Sequence, residues 1–324
     1  MRTVRKGSTL GIFSPSWTVI YEAPKAAARA EEYIKSQGFK IKRGCLWGKA
    51  DAYRTGTPRE RADEFNALLR DPEVDILMAS VGGRVTNGIL PYIDYEYYAV
   101  NPKPVVGMSD VTALLMALYA KTNIPVYYGS NFITSYARLS PYHDIAFRSL
   151  CDVLSYDGGY EYTFPEYYSD DVIEWWSEEL WEEKQIPNEI ITLNGGKTTG
   201  RLIGGNLYTI CNMWGTPFMP QIREGDILFI EDTEVWAGNL ESQLAKLKIC
   251  GVFDLIGGLI IGKCRQFQDG GTGKKFFEFI YDYLETADIP ILAECDFGHC
   301  APMLTIPIGV RAELDADAQK IKLL

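Results

Sequence analysis

The stretch Val105–Leu115, VVGMSDVTALL, decides how this chain is read. A short apolar run, Val105–Met108, meets Ser109-Asp110 and then a segment through Tyr119 that reads as a helix. Strand, sharp turn and helix in that order lift a side chain above the edge of a sheet, where the first unpaired amides of the helix also point. This is the logic of a nucleophile elbow, although Val111 stands where the usual G-x-S-x-G pattern has its second glycine. On this segment alone, a plain helix N-cap at Ser109 or Asp110 is the simpler reading.

The same grammar repeats outward toward the N-terminus. Ser8–Ser14, Lys40–Arg43, Val74–Val81 and Val126–Tyr128 read as strands, with helices expected over Ala23–Gln37 and from Thr57-Pro58 through Leu69. Gly38 supplies a stop for the first of these, and Thr57-Pro58 a cap and a first turn for the second. Strand, crossover and strand in repetition predict a parallel sheet covered by helices.

The character changes from about Cys151. Tyr156–Lys184 is crowded with Tyr, Trp, Asp and Glu, without clean periodicity, and reads as a connector with some helix near Asp171–Glu183. Beyond Glu189, strands are expected at Ile190–Leu193, Thr198–Ile203, Asp226–Ile230, Gly258–Ile261, Ile289–Ala293, Arg311–Leu314 and Lys320–Leu323, with helices at Leu240–Lys248 and Lys275–Thr286. The expected organisation is an N-terminal parallel-sheet α/β domain over residues 1–150, an aromatic and acidic connector over 151–188, and a mixed, strand-rich α/β domain over 189–324.

Composition bounds the function. The chain has 324 residues, 47% hydrophobic and 23% charged, enough apolar material for a sizeable core and, by length, two domains. A net charge of −11 disfavours a nucleic acid polymer or an anionic membrane as partner, and leaves room for a small anion in a local pocket. Seven cysteines at irregular spacings fit reduced thiols. The basic N-terminus leads into no signal-peptide core, and no stretch approaches eighteen apolar residues. A cytoplasmic protein is expected.

A serine nucleophile needs a base, and the chain offers two histidines, His143 and His299. His299 is favoured because it follows a strand end, where catalytic groups collect in α/β architecture. Glu231 and Asp232 follow the buried run Ile227–Ile230, and a carboxylate there can fix an imidazole tautomer. Gly82-Gly83, after another core strand, can bring backbone amides toward a ligand or form a plain turn. Asn206, after Gly204-Gly205, can bind substrate or cap a turn. Trp175, Trp176 and Trp181 read equally as packing or as a platform for a ring. Gly270–Lys275 lacks the first Gly and the Ser/Thr of a P-loop, and Cys295, His299 and Cys300 lack a second ligand pair at zinc spacing.

Five motifs in order carry a resemblance over nearly the whole chain: Gly82-Gly83, GMSD at Gly107–Asp110, LIGGNL at Leu202–Leu207, ILFIED at Ile227–Asp232 and FGHCAPMLTIPIG at Phe297–Gly309. Together they resemble the LD-carboxypeptidase family of serine peptidases, and the long aromatic connector is closer to its microcin C self-immunity branch than to its murein tetrapeptide carboxypeptidases. The resemblance implies a Ser-Glu-His triad of Ser109, Glu231 and His299 working without cofactor or metal. It implies oxyanion-hole amides at Gly83 and Asp110, and Asn206 near a substrate carboxylate. It also implies a connector aromatic, Trp176 or Trp181, against a nucleobase, and a homodimer. The substrate implied is a small peptide or peptidyl-nucleotide. One departure stands out. Some immunity proteins carry a lysine after the Glu-Asp pair, and here the stretch is Thr233-Glu234-Val235. A murein tetrapeptide carboxypeptidase is the alternative within the family, and a non-catalytic ligand-binding protein the alternative outside it.

Overall fold

The computed structural model describes residues 5–177, 182–284 and 288–324. A six-stranded sheet runs in the order Ile306–Ile308, Val126–Tyr128, Val105–Gly107, Ile76–Ala79, Thr9–Phe13, Lys40–Arg43. Five of these strands are parallel, as the alternating pattern predicts. Ile306–Ile308 returns from near the end of the chain and pairs antiparallel with Val126–Tyr128. Ile76–Ala79, Val105–Gly107 and Val126–Tyr128 are buried at every residue, the uniform burial a helix-covered parallel sheet demands. The helix Pro58–Arg70 starts where expected, with a capping box between Thr57 and Glu60.

The second sheet has eight strands, in the order Tyr160–Glu161, Lys320–Leu323, Arg311–Asp315, Lys197–Asn206, Ile227–Glu231, Gly258–Gly262, Ile291–Cys295, Ile191–Asn194. Its middle, from Lys197–Asn206 to Ile291–Cys295, is parallel, and the flanks are antiparallel. The register sets Asn206 beside Glu231, so two polar strand ends meet at one edge. Helix Leu207–Met213 follows directly, capped by the Asn206 side chain. The two sheets meet there: Asn206 N–H donates to Thr112 Oγ1 at 3.1 Å, and Thr112 opens the helix that follows Ser109-Asp110.

One sequence reading changes. No helix occurs within Asp171–Ser177 or at Glu182–Glu183, and Glu178–Trp181 lie outside the described residues. The connector instead forms a strap with a short antiparallel pair, Tyr167–Tyr168 against Ile186–Pro187. Its polar groups find partners across the loop rather than along a helix. The Lys184 amide donates to Asp171 Oδ2 at 2.7 Å, and the backbones of Ser169 and Ala301 exchange two hydrogen bonds. Residue 150, where the expected N-terminal domain ends, lies within the helix Tyr142–Ser155. Among the described residues, no helix is long and apolar enough to cross a membrane.

Candidate active site

Ser109 occupies a left-handed backbone conformation, φ 63°, between the core strand Val105–Gly107 and a 3-10 turn, Ser109–Val111. A non-glycine residue holds that conformation at a cost and persists there only where its surroundings over-determine it. They do so here. The Met108 amide donates to Asn131 Oδ1 at 3.1 Å, the Ser109 amide donates to Tyr128 Oη at 3.1 Å, and Asp110 Oδ2 accepts from the amide and hydroxyl of Thr86. Gly82 packs against the turn so closely that a β-carbon there would sit 3.0 Å from Ser109 Cβ. Gly83, at φ 146°, lies against Ser16, whose Oγ accepts the amides of Arg84 and Val85.

Glu231 ends a five-residue strand buried throughout and is itself wholly inaccessible. A buried carboxylate must be paired and hydrogen-bonded. Its Oε2 lies 2.7 Å from His299 Nδ1, and its Oε1 accepts from Tyr128 Oη at 2.5 Å and from Asn206 Nδ2 at 3.1 Å. Gly298 makes the slot: a β-carbon there would fall 2.7 Å from Oε2. Burial raises the carboxyl, but the charge and hydrogen bond of His299, with the bonds from Tyr128 and Asn206, hold it below its ordinary value. Because Nδ1 must donate to a carboxylate, Nε2 is the basic nitrogen of neutral His299. The neighbouring Asp232 is pushed up to about 6 by burial and then by the charge of Glu231.

Ser109 and His299 face one cavity of about 460 Å³, which also takes in Gly83, Arg138, Trp175 and Arg265. They make no direct hydrogen bond to each other, and such contacts are commonly loose before substrate binds. A second cavity, about 450 Å³, shares Gly83, Arg84, Ser109, Thr233 and Glu234 with the first and is also lined by Asp110, Asn206, Asp232, Gln243 and Lys246. Ser109, Gly83, Asp110, Asn206, Glu231 and His299 are thus brought together from five separate stretches of chain. Asn206 is committed to the protein: its Nδ2 donates to Glu231 and Asp232, and its Oδ1 accepts from Thr209.

The other sequence candidates divide: Trp175 and Cys300 line the same cavity as Ser109, and His143 and Trp176 do not. His143 is in the first turn of its helix, stacked on Tyr33 at 3.9 Å between ring centroids, with Nδ1 2.6 Å from Arg138 O. Trp176 is 59% exposed and does not line the cavity, whereas Trp175, 7% exposed, does. Trp181 lies outside the described residues. Cys300 is buried and its thiol is pushed up to about 12, a poor thiolate source. Among the described residues, no three His, Cys, Asp or Glu side chains gather as a metal site. Sequence reasoning passed over Tyr128. Its signal was position: it ends the strand beside Val105–Gly107, opposite Gly107 in register, where polar groups of an α/β sheet converge.

Fold and sequence together place the chain. The LD-carboxypeptidase N-terminal domain profile matches residues 10–129 and the C-terminal domain profile matches residues 199–314, so the chain belongs to the LD-carboxypeptidase family of peptidases. A relative in Vibrio cholerae, provisionally named a carboxypeptidase, is 41% identical over 318 residues, covering 98% of this chain and 95% of that one. The microcin C7 self-immunity protein MccF of Escherichia coli is 38% identical over 320 residues, covering 98% and 93%. Solved structures of MccF, including one in complex with aspartyl sulfamoyl adenosine, superpose with a TM-score of 0.96, covering 99% of this chain and 97% of that one.

Proposed function

We propose that this protein is a serine amidase in which Ser109 is the nucleophile, His299 the base and Glu231 the acid that orients it. The observation that carries this reading is the 2.7 Å Glu231–His299 contact, beside a serine held at φ 63° on the wall of the same cavity. His299 Nε2 takes the proton from Ser109 as its oxygen attacks an amide carbonyl, and Glu231 stabilises the imidazolium. The amides of Gly83 and Asp110 hold the oxyanion, one such donor being worth about 2.7–4 kcal/mol. The Asp110 amide precedes the first helical bond, Val111 N–H to Met108 O, and so is unclaimed by the helix. His299 then protonates the leaving amine, and water releases the acyl group from Ser109.

The substrate is read as an aminoacyl or peptidyl group on a nucleotide-like amine, as the MccF complexes suggest, with Trp175 as the aromatic wall for the base. A second reading, removal of a terminal D-amino acid from a murein tetrapeptide, is favoured by Thr233-Glu234-Val235, where no lysine stands. Incubation with aspartyl sulfamoyl adenosine and with a murein tetrapeptide, followed by mass spectrometry, separates the two. Cleavage of the first compound is expected. Cleavage of the tetrapeptide alone sinks the nucleotide reading, and retained hydrolysis in a folded Ser109→Ala variant sinks the nucleophile. The working form is read as a homodimer in the cytoplasm, to be checked by light scattering and cell fractionation.

A further inference from the structure

Ser109 lines two cavities of unlike charge. The lining of the Trp175 cavity carries three arginines, Arg84, Arg138 and Arg265, against one carboxylate, Glu234. The lining of the second cavity carries Asp110, Asp232 and Glu234 against Arg84 and Lys246, and Asp232 Oδ2 has no hydrogen-bond partner among the described residues. The chain as a whole has a net charge of −11. Guanidinium groups gathered in one cavity beside the reacting hydroxyl of an acidic protein create a local field for an anion.

Two of these arginines are built into the wall. Arg138 is 7% exposed; its Nε donates to Thr134 O at 2.9 Å, its Nη1 pairs with Glu183, and its guanidinium lies 5.6 Å from the Trp175 ring centre. Arg265 donates from Nη2 to Glu234 Oε1 at 3.0 Å, and among the described residues its buried Nε has no partner. A guanidinium has five N–H donors, so one carboxylate apiece leaves both arginines with unused hydrogen-bonding capacity. Burial, and after Glu183 the nearby charge of Arg265, bear on Arg138, whose pKa is lowered overall. A bound anion relieves that repulsion.

We propose that the Trp175 cavity holds the leaving group, and that Arg138 and Arg265 recognise a negative charge on it, a phosphoryl, sulfamoyl or carboxylate group close to the scissile amide. The proposal rests on Ser109 being the nucleophile. The shared chemistry is an anion beside the amide nitrogen, supplied either by a nucleotide or by the free carboxylate of a terminal D-amino acid. The arginine fork matches both geometries in a bidentate manner. An internal peptide bond carries no such charge next to its nitrogen and is expected to be a poor substrate.

The test is binding to the Ser109→Ala protein, measured by titration calorimetry with two matched pairs: AMP against adenosine, and N-acetyl-D-alanine against N-acetyl-D-alaninamide. In at least one pair the anion is expected to bind about tenfold or more tightly than its neutral partner, in line with charge-assisted hydrogen bonds. Arg265→Gln, made in the same protein, is expected to bring that ratio close to one, and Arg265→Lys to restore part of it. Arg138→Lys keeps the charge facing Glu183 and is expected to weaken the preference through loss of the fork. Equal binding within both pairs, an undiminished ratio in Arg265→Gln, or no binding of any of the four compounds overturns the assignment. A preference in the D-alanine pair alone supports the arginines and removes the nucleotide reading. An intact anion preference in a protein whose Ser109 form hydrolyses nothing supports the cavity and removes the amidase reading.

Discussion

Tyr128 ties the elbow to the acid. Its hydroxyl accepts from the Ser109 amide and donates to Glu231, so one buried side chain fixes both the strained turn and the carboxylate that holds His299. Burial, and then the charge of Glu231, push its ionisation well above the usual range, so it stays a donor. A hydrogen bond to a charged group contributes about 1.5–3 kcal/mol. Tyr128→Phe is therefore expected to lower kcat about tenfold or more, with KM little changed, and to lower the melting temperature. Steady-state kinetics on the cleaved amide and thermal unfolding check this, and an unchanged kcat would rule out a positioning role. Asn206 belongs to the same network. The resemblance implies that it lies near a substrate carboxylate; it lines the second cavity, and its partners within the protein are Glu231, Asp232 and Thr209. Its neighbours in space, unlike its neighbours in sequence, decide which polar groups it serves.

At the scale of elements, the start of helix Pro58–Arg70 was legible because Thr57, Pro58 and Glu60 carry a capping box and a first-turn proline. What that helix clips together was not. Glu64, on its buried face, accepts the amides of Ser14 and Leu46, each at 2.6 Å, from two different strand ends. Burial outweighs those two amides and pushes its carboxyl up to about 7 from an ordinary 4.5. Between those values the folded protein keeps a proton that the unfolded chain releases, so this group's contribution to stability falls as pH rises from about 4.5 through about 7. Glu64→Gln cannot titrate. Its melting temperature relative to the unaltered protein is expected to improve from pH 5 to pH 8, and a pH-independent difference in calorimetry would refute the assignment. The strap teaches the opposite lesson. Its aromatic and acidic composition has no helical period, and its conformation follows from distant partners: Ala301 for the Ser169 backbone, and Arg138 for Glu183.

At the scale of the molecule, the two halves interlock. Ile306–Ile308 completes the edge of the first sheet, and the Tyr128 hydroxyl crosses to Glu231 of the second. Residues 1–150 alone would leave Val126–Tyr128 as an uncovered strand edge and Tyr128 Oη without its carboxylate. That fragment is expected to show no cooperative unfolding transition in calorimetry. A sharp transition of its own would make the N-terminal half an independent domain.

The sequence by itself determined the alternation of strands and helices, most strand positions within one or two residues, the family, and the three residues read as the triad. The elements follow from local rules, the apolar period and capping residues, that act over a few neighbouring positions, and the family and the triad reading follow from the resemblance carried by five motifs in order along the chain. Only the tertiary structure decided that Trp175 rather than Trp176 faces the cavity, that Tyr128 bridges Ser109 and Glu231, and that Arg84, Arg138 and Arg265 line one cavity with Ser109. Adjacent residues in a strap point different ways, and which one is buried depends on the surface it docks against. The Ser109 turn shows both. Its position was written in VVGMSDV, and its left-handed conformation is held by Tyr128, Asn131 and Thr86, side chains from other segments that only folding brings to it.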